Sequence, residues 1–342
     1  MAGTRGPIPP GGGHRLSLNE MPDVPVAELR ELVQASLREV NRYPDPFSGR
    51  LTGALADLFS VPESEVVVGS GAASLLQCVI QWAAPHEGEV VYAWPSFDVY
   101  RLVVESAGAV PVEVPLRQHR HDLPQMLDRI THDTRALVLC NPHNPTGTVL
   151  DTAEMLSFLR KVPQHVVVVL DEAYREFAGD HDTPDGGEIY RDVPNLVVLR
   201  SFSKAYGLAG LRVGFALARR DVAEALRGRV LPFAVSTVAE AAARTALSRR
   251  SDVLRQIERV VAERDRLTGQ LVRHGLAVVP SAANFLWLPI GSSAPLFAER
   301  AARDGLHVRA VHEEGVRVTV GGVEANDAFL RFALRWVRRH ME

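Results

Sequence analysis

The stretch that decides the fold and the chemistry is Ser201-Phe202-Ser203-Lys204-Ala205-Tyr206-Gly207-Leu208-Ala209-Gly210-Leu211-Arg212, which follows an apolar segment. Only two of the 38 basic residues in the chain are lysines, and they are Lys161 and Lys204. Arginine is a permanent cation that cannot form an imine, whereas a lysine with a lowered pKa can condense with an aldehyde. We therefore interpret Lys204 as a reactive amine and Lys161 as a residual surface charge.

Short β-branched segments alternate with longer amphipathic ones from about residue 50 onward. The segments that predict strands are 66–68, 90–92, 110–114, 136–139, 166–170, 196–199 and 213–217. Helices are predicted between them, for example over 72–84, 97–107 and 152–161. Strands that are apolar throughout are typical of a sheet covered by helices on both faces. The pattern predicts an α/β fold with a mostly parallel sheet.

The character of the sequence changes after residue 217. A long helical region over 235–274 precedes short strand patterns and a last helix from about Glu324. The strand patterns are 276–279, 285–288, 306–309 and 316–320. We therefore predict a flexible arm with a first helix over 1–40 that packs on the small domain, a large domain over 41–230, and a small α+β domain over 231–342.

Composition argues against several classes of partner. The formal net charge of −3 disfavours electrostatic binding to nucleic acid or to an anionic membrane, and no apolar run has the length of a membrane span. Cys78 and Cys140 do not make a disulfide framework, so a reducing compartment is expected. The glycine- and proline-rich segment 1–13 has no apolar core typical of a secretory signal. We expect a cytoplasmic protein without a metal site.

Polar or small residues follow several predicted strands, where ligands of open α/β sheets bind. Gly69-Ser70-Gly71-Ala72-Ala73-Ser74 opens a helix, and its N–H groups favour a phosphate. Asn144 lies in a turn fixed by two Asn-Pro pairs and can aim an amide at a ligand. Asp171-Glu172-Ala173-Tyr174 follows a run of valines.

These residues do not match two common classes of nucleotide-binding protein. A dinucleotide site needs an acidic residue after the next strand, where this chain has Ala93 and Trp94. A nucleotide hydrolase needs a glycine-rich turn followed by Lys and Ser or Thr, and neither lysine has that context. Pyridoxal phosphate carries an aldehyde, a basic ring nitrogen and a phosphate, and it would use a lysine, a buried carboxylate and a phosphate turn.

Three segments, 141–147, 171–174 and 201–214, resemble the signature blocks of fold type I pyridoxal-phosphate aminotransferases. Segments 41–45, 281–285 and 315–320 resemble the histidinol-phosphate aminotransferases and the related aromatic (phenylalanine) aminotransferases of actinobacteria. The likeness runs from about Leu16 to Trp336. It implies a homodimer that takes an amino donor and a 2-oxo acid or aldehyde acceptor.

The resemblance also implies roles for individual residues. Lys204 would form the Schiff base and shuttle protons, Asp171 would pair with the ring nitrogen, and Asn144 and Tyr174 would bind the ring hydroxyl. The other implied cofactor residues are Phe97, stacked on the ring, and a phosphate group of Gly71, Ala72, Ala73, Ser201, Ser203, Arg212 and Tyr43 of the partner subunit. The implied substrate residues are Arg317, as a bidentate fork for the α-carboxylate, with Arg309, Asn144 and Asp23 nearby. For Arg309 the alternative is a plain surface arginine.

The clearest departure from these relatives lies in Asn19-Glu20-Met21-Pro22-Asp23-Val24-Pro25. Relatives place an aromatic residue where this chain has Asp23. A carboxylate beside a phosphate or an apolar ring is unfavourable, so Asp23 would disfavour a phosphorylated substrate if the arm covers the pocket. The alternative is that Asp23 lies in solvent.

Other functions on the same fold are open at this point. The nearest is a pyridoxal-phosphate decarboxylase, cyclase or oxidase of secondary metabolism, which would share the cofactor residues. A transcription factor with an aminotransferase-like sensor half would need a DNA-binding module, and the residues before Tyr43 contain none.

Overall fold

The computed structural model describes residues 12–24 and 26–340. Its strands are β1 His14–Arg15, β2 Val66–Gly69, β3 Glu89–Trp94, β4 Val110–Pro115, β5 Thr134–Cys140, β6 Val167–Asp171, β7 Leu196–Ser201, β8 Gly214–Ala218, β9 Phe285–Leu288, β10 Leu306–His307, β11 Arg309–Val311 and β12 Gly315–Thr319. Its α-helices are α1 Leu29–Ser36, α2 Gly49–Phe59, α3 Ala72–Ala83, α4 Val99–Ser106, α5 Leu123–Asp128, α6 Thr152–Leu159, α7 Gly186–Ile189, α8 Arg220–Arg227, α9 Thr237–Ser248, α10 Arg250–Arg273, α11 Ala294–Arg303 and α12 Val323–His340.

The central sheet has the strand order β2-β8-β7-β6-β5-β3-β4. Strand β8 is antiparallel to both of its neighbours, and all other neighbouring pairs are parallel. Alternate residues of β5 enter two separate buried clusters, because Leu137 and Leu139 pack on one face while Ala136 and Val138 pack on the other. The predicted α/β fold, with a mostly parallel sheet covered on both faces, is confirmed.

The carboxyl ends of three central strands meet at one edge of this sheet. Cys140 at the end of β5 is in register with Asp171 at the end of β6, and Asp171 is in register with Leu199 of β7. The turn that carries Lys204 starts directly after β7. Parallel register therefore brings the predicted carboxylate and the predicted lysine to the same place.

A second, smaller unit has its own sheet and core. Strands β11, β12 and β9 form an antiparallel sheet, and β1 of the N-terminal arm pairs with β10. The segment 276–279, which we predicted as a strand, makes only a single bridge between Val279 and Trp287. The segment 306–309 divides into β10 and β11, because its two ends pair with different partners.

The first helix packs on α9, and α9 also packs on α2. Ala239 and Ala242 of α9 share a buried core with Leu51 of α2, whereas the core of the smaller unit includes Leu267 of α10. The domain boundary at residue 231 therefore stays a prediction, and the buried clusters favour a boundary within α10. The predicted flexible arm falls largely on residues 1–11, outside the described residues.

Across the described part of the chain, no helix combines the length and the apolar character that crossing a membrane requires.

Candidate active site

A cavity of about 280 Å³ lies beyond the carboxyl ends of β5, β6 and β7. The predicted site residues that line it are Ala72, Ala73, Phe97, Asn144, Asp171, Tyr174, Ser201, Ser203, Lys204, Arg212 and Arg317. Residues from the large sheet, the smaller unit and the N-terminal arm thus face one space. Gly71 directly precedes Ala72 in the chain and is not one of the lining residues.

Lys204 is a half-buried lysine whose Nζ donates a hydrogen bond of 2.7 Å to the carbonyl oxygen of Leu18 in the arm. Nζ also lies 5.8 Å from the centre of the Tyr174 ring. Burial lowers the pKa of Lys204 to about 7, and the nearby cations Arg317 and Arg212 act in the same direction. A substantial fraction of this amine is therefore neutral, and so nucleophilic, near neutral pH.

Asp171 is a buried carboxylate at the end of β6. One oxygen accepts a 2.6 Å hydrogen bond from the Tyr100 hydroxyl, and the other accepts a 3.1 Å bond from the N–H of Ala173. Burial raises the pKa of Asp171, while the Tyr100 and Ala173 hydrogen bonds and the charge of Lys204 oppose that rise. A desolvated carboxylate held in this way is suited to pair with a cationic ring nitrogen.

An anion-binding cup is formed at the start of α3. Gly71 has a positive φ of 88°, and a Cβ added there would lie 2.7 Å from an Arg212 guanidinium nitrogen. Because Gly71 has no side chain to cap the helix, the first N–H groups of α3 are left for a ligand. Arg212 donates a 3.2 Å hydrogen bond to the Ser203 hydroxyl, which brings a cation and a donor to the same cup.

The N-terminal arm forms one wall of the cavity. Asn19 is fully buried, and its side chain donates a 2.9 Å hydrogen bond to the Tyr174 hydroxyl. Its backbone N–H donates to the Thr319 hydroxyl at 2.9 Å. The arm is therefore fixed on both the large sheet and β12, and Leu18 faces the cavity between them.

Arg317 is a buried guanidinium on β12 with two neutral hydrogen-bond partners. It donates to the Asn144 side-chain oxygen at 2.5 Å and to the Ser17 carbonyl at 2.6 Å. Among the described residues its Nε has no hydrogen-bond partner. A buried N–H without a partner is costly, and a carboxylate bound in a bidentate manner would remove that cost.

These residues match each functional group of pyridoxal phosphate. The neutral amine of Lys204 suits the aldehyde, the buried Asp171 suits the basic ring nitrogen, and the cup at α3 and Arg212 suits the phosphate. Lys161, the other lysine, is exposed and does not line the cavity.

Comparison with known proteins agrees with this chemistry. Residues 13–334 match the family model described as aminotransferase class I and II. The chain belongs to this family. The aminotransferase is 45% identical over 332 residues to the aromatic amino acid aminotransferase of Thermobifida fusca (strain YX), a match that covers 97% of this chain and 92% of that protein.

Solved structures extend the comparison to the fold. The aminotransferase matches histidinol-phosphate aminotransferase from Sinorhizobium meliloti in complex with pyridoxal-5'-phosphate, with a TM-score of 0.90, 26% identity, and coverage of 96% and 91% of the two chains. It also matches L-threonine-O-3-phosphate decarboxylase from Porphyromonas gingivalis, with a TM-score of 0.81, 24% identity, and coverage of 94% and 99%. The second likeness shows the fold alone.

The family resemblance found in the sequence is thus confirmed. The aminotransferase has fold type I, its cofactor is pyridoxal 5'-phosphate, and its reaction requires an amino donor and a keto acid acceptor.

Besides Gly71, three predicted residues do not line the cavity of the aminotransferase. Tyr43 is 85% exposed and contacts the Phe233 ring at a centroid distance of 5.1 Å. Arg309 forms an ion pair with Asp98. Asp23 is exposed on the arm, four residues after the buried Asn19.

Tyr100 and Asn19 are contact residues that the sequence interpretation did not assign. Tyr100 lies in an amphipathic helix pattern, where an aromatic residue is typical of the core. Asn19 touches Tyr174 and Thr319 across very large sequence separations. The full burial of the polar Asn19 side chain indicates its role, and this burial is visible only in the structure.

Proposed function

We propose that this aminotransferase moves the amino group of an aromatic amino acid to a 2-oxo acid, that it works as a homodimer, and that it lies in the cytoplasm. The observation that carries the substrate proposal is the 45% identity, over 97% of the chain, to a protein named aromatic amino acid aminotransferase. The unpaired thiols of Cys78 and Cys140 support a reducing compartment.

The walls of the cavity support an apolar substrate side chain. Leu18, Leu76 and Phe97 supply apolar surface, and Arg317 supplies a buried cation for the α-carboxylate. An amino acid held by its carboxylate at Arg317 would place its side chain among these groups. Displacing water from apolar surface favours an aromatic ring at roughly 25 cal/mol for each Å² buried.

Individual residues of the cavity have separate roles in the proposed reaction. When bound, pyridoxal phosphate supplies an electron sink for the electron pair left at the substrate α-carbon. Lys204 would hold the cofactor, and its free amine would accept the α-proton of the substrate, which a pKa near 7 permits. Asp171 keeps the ring nitrogen protonated, and Asn144 and Tyr174 orient the ring.

A panel of amino acids tests the substrate proposal. The purified holoenzyme is mixed with phenylalanine, tyrosine, tryptophan, glutamate or histidinol phosphate without an acceptor, and the absorbance of the bound cofactor is followed. We expect the aromatic amino acids to give the fastest conversion of the cofactor to its amine form. Conversion by histidinol phosphate but by none of the aromatic amino acids would contradict the proposal.

The lowered pKa of Lys204 predicts how the cofactor attaches. Attachment requires the neutral amine, so the rate of pyridoxal phosphate attachment to the cofactor-free protein should rise with pH through about 7 and level off above it. Stopped-flow absorbance over a pH series measures this midpoint. A midpoint close to the ordinary lysine value of about 10.4 would show that the amine is not desolvated.

An exposed apolar surface supports the homodimer. Leu37, Val40 and Tyr43 are all more than half exposed, and Tyr43 packs on Phe233 next to the exposed Leu231. Exposed apolar side chains clustered in this way are typical of a protein interface. In a dimer, Tyr43 would reach the phosphate cup of the other subunit.

Mixing two defective variants tests this arrangement. Tyr43→Ala and Lys204→Ala subunits are unfolded, mixed and refolded together, so that hybrid dimers form. If Tyr43 acts across the interface, each hybrid has one site with both residues intact, and activity should return to well above that of either variant alone. Absence of recovery in hybrids verified by mass spectrometry, or an active monomer in sedimentation, would contradict the prediction.

A further inference from the structure

The ion pair between Asp98 and Arg309 joins two parts of the molecule at the cavity. Asp98 directly follows Phe97, a wall residue, and stands at the start of α4. Its side chain does not cap that helix and instead accepts a hydrogen bond from the Arg309 guanidinium. Arg309 lies on β11 of the smaller unit.

The register of the small sheet places Arg309 beside Arg317. The two residues are direct partners on the antiparallel strands β11 and β12. Side chains of directly opposed residues lie on the same face of a sheet and interact with each other. Arg317 lines the cavity, so Arg309 is a cation beside the proposed carboxylate site.

Asp98 changes the net charge on the face of the small sheet that carries Arg309 and Arg317. The hydrogen-bond partners of Arg317, Asn144 and the Ser17 carbonyl, are neutral, so its positive charge is not offset by them. Two free guanidinium groups would suit a phosphate dianion, whereas Asp98 offsets Arg309 and leaves one net positive charge. Burial is the main reason that the pKa of Arg317 is lowered. The positive charge of Arg309 lowers this pKa further and the negative charge of Asp98 raises it, so both side chains act electrostatically on Arg317.

We propose that Asp98 is a specificity-determining residue, which neutralises Arg309 and so makes the site select a carboxylate monoanion over a phosphate dianion. This inference rests on the proposed function and deepens it, because it explains how an aromatic amino acid is distinguished from a phosphate monoester such as histidinol phosphate. Asp98, which pairs with Arg309, rather than Asp23, supplies the negative charge near the substrate.

A purely structural role for the pair makes a different prediction. The ion pair joins the loop after β3 to the smaller unit. The rings of Trp94, the last residue of β3, and His312 are also in contact, with a centroid distance of 5.3 Å. If the pair only fastened these parts together, removing it would change the affinity for all ligands by the same factor. The ratio of the affinities for a carboxylate ligand and a phosphate ligand therefore distinguishes a role in specificity from a purely structural role.

The test uses two ligands that bind but do not react. The holoenzyme is titrated calorimetrically with 3-phenylpropanoate, a carboxylate monoanion, and with 2-phenylethyl phosphate, its phosphate counterpart. Asp98→Asn should shift the affinity ratio toward the phosphate by roughly three- to tenfold, since one opposing charge near a dianion is removed and solvent screens the partly exposed pair. Adding Arg309→Ala to Asp98→Asn should abolish the shift.

Matched variants complete the design. Asp57→Asn removes the same charge from an exposed position on α2 and should leave the ratio unchanged. An unchanged ratio in Asp98→Asn, an equal change for both ligands, or a shift of the same size in Asp23→Asn would overturn the inference. Binding is measured without turnover, so failure of phenylalanine to aminate the cofactor would defeat the proposed function separately.

Discussion

Replacing Lys204 with alanine should lower turnover by at least about 10⁴-fold, the largest effect expected of any single change in this chain. The lysine is the only amine among the side chains that line the cavity of the described structure, and its pKa of about 7 lets it act both as the attachment point and as the base for the α-proton. Alanine at this position can do neither. The cup at α3 and Asp171 should still hold some cofactor without a covalent bond.

The other lysine provides the control. Lys161 is exposed after α6, so Lys161→Ala should leave turnover within about twofold of wild type, as surface substitutions usually do. Borohydride reduction followed by peptide mapping should attach the cofactor to Lys204 in wild type and in Lys161→Ala, and to neither lysine in Lys204→Ala. Cofactor found on Lys161 in the wild-type protein would refute the assignment.

Replacing Asp171 with asparagine should lower turnover by roughly 10²- to 10³-fold, because the charge that holds the ring nitrogen protonated is lost. Asparagine is nearly the same size and can keep hydrogen bonds with Tyr100 and Ala173, so the fold should change little. Turnover is measured with saturating cofactor, so that weaker binding does not contribute. Near-normal turnover under this condition would contradict the role of Asp171.

The neighbouring carboxylate gives a matched contrast. Glu172 is fully buried, but it pairs with Arg200 at 2.8 Å and does not line the cavity. Glu172→Gln should therefore lower the free energy of unfolding by about 1–3 kcal/mol, since the buried guanidinium of Arg200 loses one of its two carboxylate partners and keeps only Asp185. Its effect on turnover in the folded fraction should be much smaller than that of Asp171→Asn.

The central sheet and the cofactor residues could be predicted from the sequence for a physical reason. Strands buried on both faces are continuous apolar runs, and each of these runs ends where a polar or small residue begins. Parallel strands bring those ends to one edge, so Asp171 and Lys204 could be placed together before any contact was known. The predicted strand at 276–279 was less reliable, because a short apolar segment does not specify a partner.

Contacts between distant parts of the chain could not be predicted in this way. The bond from Asn19 to Thr319 and the ion pair of Asp98 with Arg309 join residues hundreds of positions apart, and no periodicity encodes them. The family resemblance implied that Arg309 and Asp23 lie near the substrate, and a surface position was the alternative for each. The register of β11 and β12 places Arg309 beside Arg317, whereas Asp23 is exposed.

A single turnover with phenylalanine tests the central claim most directly. The holoenzyme is mixed with excess phenylalanine and no acceptor, and phenylpyruvate, carbon dioxide and the state of the cofactor are measured together. We expect an amount of phenylpyruvate equal to the amount of subunits, complete conversion of the cofactor to its amine form, and no carbon dioxide. Release of carbon dioxide with the cofactor left in its aldehyde form would contradict an aminotransferase and favour a decarboxylase.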